Sequence, residues 1–98
     1  MEHVSDTELM ADAALGSSEA VAELYRRHQQ AAVRFAHSMT RCHANAEDIA
    51  AEAFVRTLIR IRSGSTLTTF RAYLYAAVRN LYLDQWRRKP ELEHILVL

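Results

Sequence analysis

An all-α domain, a compact bundle of one short and three long helices, is predicted by three features of the sequence. Half of the 98 residues are hydrophobic, yet glycine and proline together number only three, too few turn residues for a sheet-rich fold. Apolar residues recur at spacings of three and four, the period of a helix with one buried face. Each such run is preceded by a serine, threonine or asparagine, and three of the four are followed by a glycine or a proline, the residues that start and stop helices. A chain of this size forms one domain and buries somewhat under roughly 70% of its unfolded surface, enough for a modest core without disulfides.

Ser5 followed by Glu8 is a capping-box pattern and opens a first helix from Asp6 to about Leu15, stopped by Gly16. Ser17 or Ser18 caps a second helix reaching about Met39. Its stripe is Ala20, Val21, Leu24, Ala31, Phe35 and Met39, with Arg26, Arg27, His28 and Gln29 on the other side. A break follows over Thr40 to Ala44, and Asn45 with Asp48 three positions on reads as the start of a third helix. That helix runs to about Ile61 with Ile49, Ala53, Leu58 and Ile61 in phase, and ends in the loop Ser63-Gly64-Ser65-Thr66. Thr68 or Thr69 caps the fourth helix, which continues to about Arg88 and is ended by Pro90, because the residue before a proline is driven from the helical region. Its core stripe is Phe70, Leu74, Ala77, Val78 and Leu81. A second stripe, Tyr75, Arg79, Tyr82 and Trp86, lies opposite. The expected organisation is a helical domain over residues 1–89 and a tail or linker over 90–98.

Formal net charge is zero, but it is unevenly spread. From Met1 to Asp48 there are four arginines against eight acids; from Arg56 to Lys89 there are eight bases against one acid, Asp84. An acidic front and a basic back predict two different partners, one of them a polyanion. The single cysteine, Cys42, has no internal partner, and no charged-then-apolar leader opens the chain, so the expected compartment is the reducing cytoplasm. No apolar run approaches the roughly 20 residues of a membrane span, so no membrane role is expected.

The basic segment holds five aromatics, Phe70, Tyr73, Tyr75, Tyr82 and Trp86. Cations beside flat rings are what binding of a single nucleic-acid strand requires; the rival reading is that the rings are core and the arginines solvate a helix. Asn80 stands inside a helix, where asparagine is a weak helix former, and its amide suits either a base edge or open solvent. Glu47 and Asp48 are explained by the helix dipole, whereas Glu52, one turn from Asp48, suits an arginine-bearing partner. His37, Cys42 and His43 do not match paired metal-ligand spacings. No phosphate cradle, nucleophile elbow or H-E-x-x-H pattern occurs. The expectation is a non-enzymatic module with no cofactor and no metal.

Read in order, Asp6-Thr7-Glu8-Leu9, Gly16-Ser17-Ser18-Glu19-Ala20 and Glu23-Leu24-Tyr25-Arg26-Arg27-His28 resemble the opening of extracytoplasmic-function sigma factors of the sigma-70 family. Glu47-Asp48-Ile49-Ala50-Ala51-Glu52-Ala53-Phe54-Val55-Arg56 resembles the polymerase-binding helix of their region 2. Phe70-Arg71-Ala72-Tyr73-Leu74-Tyr75-Ala76-Ala77-Val78-Arg79-Asn80, followed by Asp84 and Arg87-Arg88, resembles the helix that melts and reads the promoter. The resemblance extends over nearly all of the chain from Ser5 to Lys89, with the blocks in the family's order.

It implies binding to the clamp helices of the β′ subunit of core RNA polymerase through Asp48, Ile49, Glu52, Val55 and Arg56. It further implies recognition of the non-template strand of the promoter −10 element through the loop Ser63, Gly64, Ser65, Thr66 and Leu67 together with Arg71, Arg79, Asn80, Arg87 and Arg88. An anti-sigma factor is a further partner that it implies. A protein-interaction bundle without DNA binding is the alternative. Departures from the family pattern are Ala51 where glutamine is common, Tyr73 where tryptophan is common, and a loop without the aromatic often found near Gly64, which leaves a base pocket to Leu67, hydroxyls and backbone groups. Sigma factors of this class also carry a second helical domain that reads the −35 element; 98 residues do not hold both, so a fragment or a truncated relative is expected.

Overall fold

The computed structural model describes residues 3–64 and 69–87. These form four helices, α1 (Asp6–Ala14), α2 (Ser18–Thr40), α3 (His43–Arg62) and α4 (Phe70–Arg87), with no strand among the described residues. The expected starts of α1, α2 and α4 hold to within two residues, each set by its cap. Ser5 accepts a hydrogen bond from the Glu8 amide at 3.1 Å, and Ser17 accepts one from the Ala20 amide at 3.1 Å. Thr69 accepts one from the Ala72 amide at 3.0 Å, which selects it as the cap of α4. Each satisfies an orphan donor of a first helical turn. Gly16 closes α1 at φ +99°, a conformation that costs a residue with a Cβ about 1–2 kcal/mol. The expected end of α4 at Arg88 and Pro90, and the tail over 90–98, lie outside the described residues.

The start of α3 differs from the expectation. Helix α2 ends with Arg41 in the left-handed region at φ 57°, its amide returning to the His37 carbonyl at 2.9 Å, and only Arg41 and Cys42 separate the two helices. Helix α3 therefore begins at His43, two residues before Asn45, and its cap position Cys42 makes no side-chain cap bond. Asn45 is not a cap. Its amide is used across the bundle, on α4.

Helix α2 packs against each of the other three, and α3 packs against α4. The core is built from Leu9, Leu24, Ile49, Phe70, Leu74 and Val78, all essentially inaccessible, with Thr57 buried among them. The Thr57 hydroxyl is satisfied by the Ala53 carbonyl at 2.8 Å, as a buried hydroxyl must be. In α2 the buried apolar set is Ala20, Leu24, Ala32, Val33 and Ala36, whereas the expected Val21, Ala31, Phe35 and Met39 sit half-buried at its margin. A helix with neighbours on three sides has a broad buried face, so its deepest line is not readable from apolar spacing alone.

The supposed polar face of α2 is partly turned inward. Arg27 and His28 both engage Asp6 of α1, at 3.1 Å and 2.7 Å, and the His28 ring lies 4.9 Å from that of Phe70 at the start of α4. Glu23, buried one turn earlier, accepts from Arg26 at 2.8 and 2.7 Å and from Arg27 at 2.7 Å. These hydrogen bonds to Arg26 and then Arg27 hold its carboxyl down at about 2 against an ordinary 4.5; the same bond from Glu23 raises the Arg27 guanidinium. This ionic brace ties α1 to α2.

Candidate functional site

Helix α3 presents to solvent a line formed by Asp48, Glu52, Val55 and Ile59, spaced four, three and four. On a helix such positions lie above one another. Its upper half is acidic and its lower half apolar: Val55 is 53% and Ile59 60% exposed, one turn apart on the same face. Glu52 is also held by Arg56 at 3.2 Å, which fixes the carboxylate on the surface without burying it.

Ile49 does not belong to this face. It is 2% exposed and packs in the core, because one residue along a helix turns a side chain by about 100° and Ile49 follows the inward line with Ala46, Ala53 and Ile61. The expected surface role of Ile49 is corrected to a supporting one. Ile59, not among the expected surface residues, shares this exposed line: it stands seven positions after Glu52 and four after Val55.

A second feature lies where α3 meets α4. Arg56, Tyr73, Ala76, Ala77 and Asn80 line an open cleft of about 140 Å³. Arg60 extends it, its guanidinium 5.8 Å from the centre of the Tyr73 ring. Asn80 is exposed, not sealed in the bundle, and Arg56, expected on the other surface, belongs to both. On the opposite flank of α4 the Arg71 guanidinium lies 5.2 Å from the Tyr75 ring centre. Tyr75 in turn stacks on Phe35 of α2 at 4.8 Å with planes 10° apart. Cations held against rings in this way are partly pre-ordered.

Of the five aromatics in the basic segment, Phe70 is core, while Tyr73, Tyr75 and Tyr82 are half-buried and Trp86 is exposed; the core reading holds for the first and the surface reading for the last. Arg79 and Arg87 are exposed, Arg87 lying 3.6 Å from Asp84. In the preceding loop Ser63 and Gly64 are exposed, with Gly64 at φ +83°. Ser65, Thr66, Leu67 and Arg88 lie outside the described residues. The His37 and His43 rings are 6.1 Å apart and Cys42 is exposed beside them; among the described residues no three metal-ligating side chains converge. No helix there is long and apolar enough to cross a membrane.

An all-helical bundle with one acidic and apolar face and one basic, ring-lined cleft is the architecture of a binding module. A family model described as sigma-70 region 2 matches residues 24–90, which comprises most of α2 and all of α3 and α4. The chain belongs to that family, whose members act without catalysis in transcription initiation, in polymerase binding and promoter recognition. Comparison with curated proteins and with solved structures returned no match.

Proposed function

We propose that this chain is region 2 of an extracytoplasmic-function sigma factor, working in the cytoplasm. In this reading the outer line of α3, Asp48, Glu52, Val55 and Ile59, docks on the clamp helices of the β′ subunit of core polymerase. Helix α4 and the loop before it take the non-template strand of the −10 element, and an unpaired base is held near Asn80. The observation that carries the reading is that the outer line of α3 and the cleft between α3 and α4 adjoin at Arg56, which pairs with Glu52 and lines the cleft, so that one helix serves a protein partner on one side and a strand on the other. Flipping a base from the stack costs a few kcal/mol, which the cleft residues Arg56, Tyr73 and Asn80 and phosphate contacts by Arg71, Arg79 and Arg87 would offset.

The test is anisotropy of a labelled −10 single strand with core polymerase present. Three phosphate contacts on a single strand give a log-log salt slope near −2, or a loss of about 15-fold in affinity between 50 and 200 mM salt. Salt-insensitive binding, or none with polymerase present, overturns the reading. The exposed pair Val55 and Ile59 also fits an anti-sigma factor or another protein partner without any DNA role. The double substitution Asn80→Ala, Arg87→Ala separates the two: lost promoter opening with retained polymerase binding supports the DNA reading, and unchanged opening supports the alternative.

A further inference from the structure

Asn45 and Gln85 are forty residues apart and exchange two hydrogen bonds: the Asn45 amide nitrogen donates to the Gln85 oxygen at 3.2 Å, and the Gln85 nitrogen donates to the Asn45 oxygen at 3.2 Å. The pair joins the first turn of α3 to the last turn of α4. Tyr82 in that part of α4 packs only at the margin of the core. The last buried residue of α4 is Leu81; beyond it Tyr82 to Gln85 are half-buried and Trp86 and Arg87 exposed. Apolar contacts are non-directional and leave the rotation of a helix end loosely defined, whereas two antiparallel amide bonds fix both distance and azimuth.

From this juxtaposition we propose that Asn45 and Gln85 are positioning residues for the strand-reading helix: the amide pair holds the last turn of α4 in the rotation that presents Trp86 and Arg87 to one strand, and so links that presentation to the N-terminal end of the polymerase-docking helix. The inference rests on the DNA reading given above. Neither amide touches the strand. Asn45 acts only through Gln85, and its removal lowers the fraction of molecules whose α4 end is in the competent rotation, which raises the apparent Kd in proportion.

The experiment uses the full chain bound to core polymerase, with a labelled −10 single strand as probe, comparing wild type, Asn45→Ala, Gln85→Ala, the double alanine variant and the exchanged pair Asn45→Gln, Gln85→Asn. Each single alanine variant is expected to weaken strand binding by about tenfold, equivalent to about 1.4 kcal/mol, with polymerase affinity unchanged. The double variant is expected to be no weaker than either single, since both remove the same pair, and the exchanged pair to recover most of the loss. Amide hydrogen exchange over residues 82–87 is expected to quicken in the alanine variants and in those residues first.

Full strand affinity in Asn45→Ala overturns the proposal, as does a loss confined to Gln85→Ala, which would mean a direct contact by Gln85. A loss of polymerase affinity in Asn45→Ala equal to the loss of strand affinity also overturns it, because that is the mark of a damaged fold. If wild type itself fails to bind the strand in the presence of polymerase, the DNA reading falls first and this proposal with it, so the two failures are distinguishable.

Discussion

Reversing the charge of Glu52 separates its part in the fold from the docking role proposed for it. The Glu52 and Arg56 side chains are 58% and 46% exposed and meet at 3.2 Å four positions apart, a geometry in which an ion pair contributes about 0.3–0.5 kcal/mol. Glu52→Arg removes that attraction and sets two cations one turn apart, at a similar cost. Folding stability then falls by less than about 1 kcal/mol, and the melting temperature by no more than about 4–8 °C. Docking is affected on another scale. Breaking a charge pair that polymerase desolvates costs about 2–5 kcal/mol, a loss of at least about 30-fold in affinity. A thermal melt by circular dichroism and a competition titration against core polymerase read the two quantities independently. The double reversal Glu52→Arg, Arg56→Glu restores the internal pair, so it is expected to recover the melting temperature and leave docking impaired. Docking at wild-type affinity by Glu52→Arg, or its recovery in the double reversal, would refute the assignment of this face to polymerase.

Ile59→Ser removes an aliphatic side chain that is 60% exposed; the fold is expected to keep its melting temperature within a few degrees while polymerase affinity falls about tenfold, and an unchanged titration would remove Ile59 from the docking line. Leu74→Ala opens a cavity at a fully inaccessible site between α4 and its neighbours and is expected to cost about 2–5 kcal/mol, read as a fall in the urea midpoint with little change in slope. Glu23 has a folded pKa of about 2 against an ordinary 4.5, so the unfolded chain binds its proton more readily. The stabilisation from its pairing with Arg26 and Arg27 is complete above about pH 4.5 and is lost as the pH falls from there toward 2. Urea midpoints measured down that range are expected to drop more steeply for wild type than for Glu23→Gln, and identical profiles would show that the brace contributes nothing.

The start of each helix was legible where its signal is local. Ser5, Ser17 and Thr69 act within one turn of themselves, and an interaction across three residues is written in the sequence directly. The start of α3 falls two residues before Asn45, a good cap by type that is instead engaged by Gln85, a partner no local rule connects to it. Ile49 is a different case: it stands in phase with Ala53 and Ile61, and its burial follows that period, whereas Ile59 is out of phase with that stripe and exposed.

The division of charge along the chain, the order of the helices and the blocks shared with sigma-70 region 2 were determined by the sequence itself, because composition, capping and periodicity are properties of neighbours along the chain. Only the tertiary structure decided which line of α3 faces outward, that Arg56 joins Tyr73 and Asn80 in one cleft, and that Arg27 and His28 brace α1 instead of meeting solvent. A step of one residue turns a helical side chain by about 100°, so its exposure depends on where the other helices lie, and those positions are settled by packing among residues far apart in sequence.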